Sequence, residues 1–403
     1  MSTETIEVTG HIVDSLLLAK ILDTILDAGC DYEIAEVRIG KTSLDPSSAR
    51  IAVTGDDDVL APLLDELQVH GANRTVHDDA RLVAADQDGV LPQGFYSTTN
   101  LASEVRVDGT WLPVENPEMD CALVITDGRA LTAPMHRVRA GDQVVVGSDG
   151  VRVHAPAHAR DTQVFEFMAS EVSSEKPKAL LVTRVAERLR AARSRGEKVL
   201  VVAGPAVVHT GGAPDLARMV EAGWVDVLFA GNGFATHDIE ANVLGTSLGV
   251  SVAEGVPTEG GHANHLRVIN EVRRHGSIAA AVQAGFVRGG VMHACIGRGV
   301  PFVLGGSIRD DGPLPDVMTD VVAAADALRA HLPGVGVALM LASTLHSIAA
   351  GNCLPAGVET FCVDINQAVV TKLADRGSHQ ALGIVTDVGP FVRQLADHLA
   401  GGA

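Results

Sequence analysis

The carboxyl-terminal part of the sequence, Val335 to Gly389, repeats one pattern: a mainly apolar run, a short polar turn, and a stretch with helical periodicity. Apolar runs without alternation are typical of strands covered on both faces, as in a parallel sheet. Ligands of such sheets bind beyond the carboxyl ends of the strands, so the polar turns are expected to line one crevice. The apolar runs are Val335–Ala342, Val358–Val363 and Leu382–Val385.

The spacing within this pattern predicts a nucleotide. The turn after the first run is Ser343 to His346, and Asp364 ends the second run. Free backbone N–H groups and the helix dipole at such a turn favour an anion. A carboxylate about 20 residues later, at the end of the next strand, accepts hydrogen bonds from a ribose diol. Because that carboxylate would repel a 2′-phosphate, the pattern favours NAD over NADP. The turn lacks the glycine fingerprint, so the alternative is an α/β domain in which an aspartate merely ends a strand.

Composition excludes several classes of function. The 403 residues carry a formal net charge of −19, and only 3% are aromatic, so no nucleic-acid partner is expected. The five cysteines are dispersed without a CxxC pair, which is typical of reduced thiols in a cytoplasmic protein. The sequence contains no uncharged apolar run of membrane-spanning length and no amino-terminal signal, so no membrane partner is expected.

The chain is predicted to be an α/β protein of three domains. Residues 1–80 show the order β-α-β-β-α-β of a ferredoxin-like module. Residues 81–170 are β-rich, with Asp-Gly turn signals at short intervals, as in a small barrel or sandwich. Residues 171–403 are predicted to form a Rossmann-like, parallel-sheet domain that binds NAD.

Three further segments are candidates for the site. Glu118, Asp120 and Cys121 lie directly before an apolar strand and are predicted to hold substrate, although a turn with a buried cysteine is the alternative. The charged, proline-rich loop from Gly305 to Asp316 follows another strand, and its Arg309 is predicted to pair with a substrate carboxylate. The turn Gly231-Asn232-Gly233 is a possible close approach to a ligand, and Glu254, at the ribose-acid distance from it, is a rival to Asp364.

A group of imidazoles and carboxylates raises the question of a metal. Imidazole and carboxylate together suit zinc or iron. However, the His-x-x-His spacing of His262 and His265 is predicted to lie in a glycine-rich loop rather than on a helix face, so no metal site is predicted. Lys372 is predicted to lie in the helix after Asp364, where a solvated lysine is the alternative to a reactive one. The group consists of His237, Asp238, Glu240, His262 and His265.

Several long strings resemble a known family, the archaeal-type ornithine cyclodeaminases, also described as lysine-oxoglutarate reductase/saccharopine dehydrogenase-like bifunctional proteins. The strings are GPAVVHTGG, FAGNGFATHDIE, GTSLGV, GGHANHLRVIN, GSIRDDGPLPD, LHSIAAGN, VDINQAVVTKLADRGS, GIVTDVG and ENPEMDC. The resemblance covers nearly the whole chain. It implies a bound NAD, with contacts at Asn232, Gly233, Asp310, Asp311, Ser343, Thr344, Leu345, His346, Asp364, Asp387 and Val388. Some relatives carry an arginine-hydrolysing module ahead of this region, which this chain is expected to lack.

The activity implied by the resemblance is conversion of L-ornithine to L-proline and ammonia by an NAD-dependent lyase of ornithine and proline metabolism. The candidate proton-handling residues are His262, His265, Asp311 and Lys372, and Asn264 is a further substrate candidate. A homo-oligomer, dimer or tetramer, is expected. The alternatives are an NAD-dependent amino-acid dehydrogenase, a lysine cyclodeaminase, and a protein that senses NAD and an amino acid without turnover.

Overall fold

The computed structural model of the chain describes residues 1–13, 16–41, 45–75, 78–155, 178–251, 256, 261–310, 312–375 and 381–401. Contacts within the chain group it into two units. One comprises Met1–Glu171 with Asn352–Gly357, and the other comprises Val172–Gly351 with Val358–Ala403. The three domain boundaries predicted from the sequence stay predictions.

The first unit begins with the ferredoxin-like module, as predicted. Its strands form an antiparallel sheet in the order β2-β3-β1-β4, with both helices packed on one face. Alternation along the strands places Ile6, Val8, Ile51 and Val53 in the core beneath the helices, while their neighbours face outward. The elements are β1 (Ser2–Gly10), α1 (Leu17–Asp27), β2 (Asp31–Arg38), β3 (Ser47–Gly55), α2 (Asp57–Val69) and β4 (Ala72–Arg74).

The β-rich part of the first unit forms one seven-stranded sheet in the order β11-β6-β7-β9-β8-β10-β5. Leu123 lies in one apolar cluster and Ala122 and Val124 in another, so alternation along one strand contributes to two cores. The turns Asp108-Gly109 and Asp127-Gly128 have positive φ at both residues, as the Asp-Gly signals predict. The elements are β5 (Arg81–Ala84), β6 (Ser103–Val107), β7 (Thr110–Glu115), β8 (Ala122–Thr126), β9 (Arg129–Ala133), the 3₁₀ helix Met135–Arg137, β10 (Gln143–Val146) and β11 (Val151–Val153).

The second unit is built on a seven-stranded, wholly parallel sheet, which confirms the predicted Rossmann-like architecture. Residues 337–341 and 360–363, from the first two apolar runs that predicted it, are buried throughout, whereas only Ile384 of the third run is buried. Its elements are α3 (Lys178–Ser194), β12 (Lys198–Ala203), α4 (Ala206–His209), α5 (Ala213–Glu221), β13 (Val227–Gly231), α6 (Asn232–Leu244), β14 (Thr246–Ser247), β15 (Val250–Ser251), the 3₁₀ helix Gly261–Ala263, α7 (Asn264–His275), α8 (Ile278–Gln283), α9 (Val291–Arg298), β16 (Phe302–Gly305), β17 (Val317–Met318), α10 (Val321–His331), β18 (Val335–Leu341), α11 (Leu345–Cys353), β19 (Glu359–Asp364), α12 (Gln367–Asp375), β20 (Ala381–Val385) and α13 (Val388–Ala400).

The order of this sheet, β17-β16-β13-β12-β18-β19-β20, contains one reversal, between β12 and β18. Strands that follow β12 directly are added on one side, whereas β18 and its successors are added on the other. Ligands of open parallel sheets bind at such a switch point. The turns after β12 and β18 approach closely there, because a Cβ on Gly204 would lie 1.8 Å from the carbonyl oxygen of Ala342. Ala342 itself has φ +45, a sparsely populated conformation for a residue with a side chain.

The described helices contain none that is both long and apolar enough to cross a membrane. All five cysteines are buried and none is part of a disulfide bond, as expected for thiols that contribute to cores.

The contact at Gly204 predicts a steric requirement for glycine. Gly204→Ala would force the β12 and β18 turns apart, and we expect it to lower the free energy of unfolding by about 1–3 kcal/mol. The control is Gly297→Ala in α9, where an added Cβ meets nothing within 4 Å. That substitution should raise stability by roughly 0.5–1 kcal/mol, since alanine is the better helix former. Urea denaturation of both variants measures the difference, and equal midpoints would contradict the steric argument.

Candidate functional site

The imidazole of His346 lies at the centre of the carboxyl rim of the parallel sheet. It extends from the first turn of α11 onto the ends of β13 and β16. A Cβ on Gly231 would be 2.8 Å from His346 Cε1, and a Cβ on Gly305 would be 3.0 Å from His346 Nε2. Burial lowers the pKa of His346, while Asp310 acts in the opposite direction without overcoming it. The rim therefore holds a neutral imidazole against glycine backbone.

The start of α11 offers backbone donors at the same rim. The N–H of Ile348 donates to the carbonyl of Thr344 at 3.0 Å, so the helix begins there. The N–H groups of its first turn, from Leu345 onward, have no partner within the helix. Thr344 and Leu345 are exposed, whereas Ser343 is buried. This end of α11 can therefore accept an anionic group such as a pyrophosphate.

Asp364 ends β19, the strand adjacent to β18. Its side chain is buried, and Oδ1 accepts the N–H of Asn366 at 2.7 Å. Within the described parts of the chain Oδ2 makes no hydrogen bond, so one carboxylate oxygen is held and the other is available. Beside it, Asp387 caps α13 by accepting the N–H of Gly389 at 3.0 Å, and Val388 is buried. A carboxylate with one unused oxygen beside an anion-binding helix end has the chemistry needed for the ribose and phosphates of a nucleotide.

On the other side of the switch point, α6 begins directly at the end of β13. Asn232 Oδ1 accepts the N–H of Leu314 at 3.0 Å, so this side chain anchors the loop between β16 and β17. A Cβ on Gly233 would meet only Pro205 Cγ, at 3.4 Å. In the loop, Asp310 accepts the N–H of Ser307 at 2.8 Å, and Arg309 is exposed. Asp311 lies outside the described residues.

A row of three imidazoles stands on α4, α6 and α7. The ring of His237 lies 5.0 Å from the ring of His209 and 6.4 Å from the ring of His265, between centroids. His237 Nδ1 is 2.9 Å from Oε2 of Glu240, one turn further along α6. Burial acts to raise the pKa of Glu240, but hydrogen bonds from His237, Thr246 and the Gly249 N–H together lower it below its usual value. Glu240 is therefore a buried carboxylate that stays ionised.

The prediction that His262 and His265 lie in a glycine-rich loop is wrong. Gly261–Ala263 is a 3₁₀ helix, and His265 lies in the first turn of α7, because Asn264 starts that helix. The side chain of His262 and the whole of Glu254 lie outside the described residues. Groups of three or more potential metal-binding side chains are not found in the part of the chain that the structure describes.

The remaining predicted residues are placed as follows. Asn264 is buried, its Nδ2 donates to Thr246 Oγ1 at 2.9 Å, and its Oδ1 accepts from Arg267. Lys372 is exposed in the last turn of α12. Their roles stay predictions.

The predicted substrate segment lies in the first unit and is held by Thr98. The Thr98 hydroxyl accepts the N–H of Cys121 at 3.0 Å, and the Thr98 carbonyl accepts the N–H of Asp120 at 3.1 Å. Glu118 and Cys121 are buried, whereas Asp120 is exposed with φ +60. The predicted contact of these residues with substrate stays a prediction.

Sequence reasoning missed His209 and the contact of His346 with the strand ends. The i,i+3 spacing of His237 and Glu240 was the available signal for their pair, since residues so spaced meet on one helix face. His209 lies in a separate segment, so only the packing of α4 on α6 brings it to the row.

Asp238, between His237 and Glu240 in the sequence, faces a different neighbour. Its Oδ1 accepts the N–H of Val291 at 2.9 Å and its Oδ2 the N–H of Met292 at 2.8 Å, so it caps the start of α9. Burial raises the pKa of Asp238 to about 6, even though both backbone hydrogen bonds favour the ionised form. Neighbouring carboxylates on α6 thus have different surroundings and opposite shifts.

Three regions of the sequence match known families. Residues 183–395 match the family described as arginine dihydrolase ArgZ-like, C-terminal, Rossmann fold. Residues 102–182 match the first region of the same C-terminal part, and residues 3–101 match the conserved region of LOR/SDH bifunctional enzymes.

Individual relatives match nearly the whole chain. An ornithine cyclodeaminase of Methanopyrus kandleri is 52% identical over 98% of this chain and 97% of its own length. The apo structure of ArgZ, a cyanobacterial arginine dihydrolase, has a TM-score of 0.85 at 37% identity over 99% of this chain and 58% of its own. A ternary complex of AgrE with ornithine and NAD⁺ has a TM-score of 0.55 at 43% identity, with the same coverage of both chains.

The raised pKa of Asp238 predicts a pH-dependent loss of stability. Its folded value, about 6, lies above its unfolded value, 3.8. The stability linked to this group is therefore complete below the unfolded value and is lost as pH rises through about 6. Asp238→Asn should remove that loss, which amounts to roughly 3 kcal/mol. The loss is measured by denaturant unfolding between about pH 4 and pH 7, as the free energy of unfolding of wild type minus that of Asp238→Asn at each pH. Asp226→Asn, at an exposed carboxylate that accepts the Val199 N–H, controls for removing a charge. A pH-independent difference for Asp238→Asn would contradict the prediction.

Proposed function

The chain belongs to the family of the archaeal-type ornithine cyclodeaminases and is an enzyme, and we propose that it converts L-ornithine to L-proline and ammonia with NAD bound in the second unit. The observation that supports this most directly is Asp364, a buried carboxylate at the strand end beside the start of α11, one oxygen of which makes no hydrogen bond to any described residue. The relative solved with both ornithine and NAD⁺ supports the same pair of ligands for this chain.

In this proposal, different residues at the carboxyl rim of the sheet bind different parts of NAD. Asp364 accepts hydrogen bonds from the adenosine ribose, and the first-turn N–H groups of α11 face the pyrophosphate. Asn232 and Gly233, across the switch point, lie beside the nicotinamide. The absence of a side chain at Gly233 leaves room there, since only Pro205 would contact a Cβ. The neutral imidazole of His346 lies between the two halves and adds no positive charge next to a cationic nicotinamide ring.

When bound, NAD supplies a hydride acceptor that takes a hydride from the substrate α-carbon and returns it before products leave. The chain's own part is to hold the α-carbon at that ring, to keep the reacting amine neutral, and to exclude water. The oxidised α-carbon is attacked by the side-chain amine of the same substrate, and ammonia leaves as the ring closes. No second substrate is needed, and no reduced cofactor accumulates.

The reaction is tested with purified protein, L-ornithine and a catalytic amount of NAD. We expect proline and ammonia in equal amounts, many turnovers per NAD, and no lasting absorbance of NADH. Net formation of NADH in proportion to substrate would instead identify an amino-acid dehydrogenase, and pipecolate from lysine at a higher kcat/KM would identify a lysine cyclodeaminase. Binding of NAD and ornithine without product would identify a sensing protein.

Asp364 provides the test of the cofactor site. Asp364→Ala should weaken NAD binding about 10- to 100-fold, because a charge-assisted hydrogen bond contributes roughly 1.5–3 kcal/mol. Asp320→Ala is the matched control, since that carboxylate also accepts backbone N–H groups but caps α10 at the far edge of the sheet. Calorimetric titration with NAD measures both variants. Equal affinity of wild type and Asp364→Ala would contradict the site.

A further inference from the structure

The carboxylate of Glu240 is surrounded by hydrogen-bond donors from three places in the chain. Oε1 accepts the Thr246 hydroxyl at 2.8 Å and the Gly249 N–H at 3.1 Å. Oε2 lies 2.9 Å from His237 Nδ1 and accepts the Leu248 N–H at 3.3 Å. The side chain has no solvent exposure. A buried carboxylate with this many donors is held in one position and in its ionised form.

The hairpin β14–β15 is shaped to supply two of those donors. Its two turn residues, Leu248 and Gly249, have φ +55 and +74, the left-handed pair of a type I′ turn. A leucine in that conformation costs about 1 kcal/mol or more. This conformation directs the backbone N–H groups of both Leu248 and Gly249 toward the Glu240 carboxylate. The conformation is thus explained by the carboxylate that it binds.

These donors determine which nitrogen of His237 carries a proton. Backbone N–H groups can only donate, and the Thr246 hydroxyl, which receives the Nδ2 of Asn264, donates onward to Glu240. The ionised carboxylate therefore accepts from His237, whose Nδ1 bears the hydrogen. In the neutral ring the other nitrogen, Nε2, is left as a proton acceptor. A carboxylate that orients an imidazole in this way is the arrangement of a general base.

The flanking imidazoles connect this buried ring to solvent. His237 is 8% exposed, whereas His209 is exposed and its Nδ1 lies 2.7 Å from Ser247 Oγ. Burial lowers the pKa of His209, the proximity of His237 lowers it further, and Glu240 acts in the opposite direction. Among the described residues of α4, α6 and α7, the titratable groups in contact with His237 or near its ring are Glu240, His209 and His265, while Arg267 binds the neighbouring Asn264.

The proposed reaction requires that protons be taken up and returned. Ornithine enters with two ammonium groups. The α-ammonium must lose a proton before hydride leaves the α-carbon, and the side-chain ammonium must lose one before its nitrogen attacks. One proton then returns to the departing ammonia and one to the ring nitrogen of proline, so the balance closes without an external acid. The site therefore needs acceptors that can hold a proton near neutral pH and give it back.

We propose that the row His209–His237–His265 is the proton-transfer site of the reaction, with His237 as the catalytic base and Glu240 as its positioning residue. This inference rests on the proposed function. In the first step an N–H bond of the substrate α-ammonium breaks and an Nε2–H bond forms on His237. The proton is later returned to the leaving nitrogen. His209 exchanges protons between the row and solvent, and the hairpin keeps Glu240, and through it His237, in place.

The central test is His237→Gln, which retains an amide able to donate to Glu240 but cannot accept a proton. The wild-type protein is assayed first. If it forms no proline from ornithine, the proposed reaction is refuted, which is a different outcome from failure of the proposed role of the three imidazoles. We expect kcat to fall about 10²- to 10⁴-fold. The affinity for NAD, measured by calorimetry, should change less than about threefold. Added imidazole should restore part of the activity of His237→Gly. Wild-type kcat in His237→Gln would overturn the proposal.

Glu240→Gln and Glu240→Asp test the positioning role. Glu240→Gln removes the negative charge next to the imidazolium, so it should lower kcat and move the acid limb of the kcat–pH profile to lower pH. Glu240→Asp keeps the charge and should recover part of the rate. Glu271→Gln is the matched control, because Glu271 faces His275 at 3.8 Å in the same α7 that carries His265 but lies away from the row. It should leave rate and profile unchanged. An unchanged profile in Glu240→Gln would refute the assigned role.

His209→Gln decides the question if a substitution in the buried pair prevents folding, since His209 is exposed. We expect its kcat to fall severalfold in dilute buffer and to recover as buffer concentration rises, because small bases replace the lost exchange with solvent. Ser247→Ala should show the same dependence more weakly. A kcat equal to wild type in dilute buffer would overturn the relay.

Discussion

The parallel pairing of β12 with β18 is the contact on which the second unit depends. It joins the two halves of the sheet, and the Gly204 N–H extends it beyond the strands by donating to the carbonyl of Leu341 at 2.8 Å. Because strands before and after it are added on opposite sides, the helices that follow diverge at this seam. Both the start of α11 and the start of α6 face the crevice that results. The turns after β12 and β18 are so close that position 204 has to be glycine, because a Cβ there would clash with the carbonyl oxygen of Ala342.

Three buried carboxylates of this unit differ in what binds them, and that difference separates their roles. Asp238 uses both oxygens on the backbone of α9 and holds the fold. Glu240 uses both oxygens on the hairpin and on His237, so it holds the imidazole that we propose as the base. Asp364 uses one oxygen on the N–H of Asn366, and within the described residues its other oxygen makes no hydrogen bond, so we propose the second oxygen for a ligand. Counting donors around a buried carboxylate thus distinguishes structure from function where residue type does not.

Much of the architecture could be predicted from the sequence because strand periodicity and turn residues act locally. Three apolar runs predicted β18, β19 and β20, and the β-α-β-β-α-β pattern predicted the ferredoxin-like module. Prediction was poorer around His265. Glycines before it suggested a loop, yet the chain forms a 3₁₀ turn and then α7, since the apolar face of α7 packs on the core of the unit. Local glycine content is a weaker signal than burial of a helix face.

The sequence by itself determined the parallel strands, the polar turns at their carboxyl ends, and the acidic residue at the end of β19, because each depends on neighbours along the chain. Only the tertiary structure decided that His346 reaches the backbone of Gly231 and Gly305, and that the hairpin turn closes on Glu240. It likewise decided that His209 joins His237. These contacts unite segments whose meeting depends on strand order and helix packing, and neither periodicity nor spacing encodes such distances.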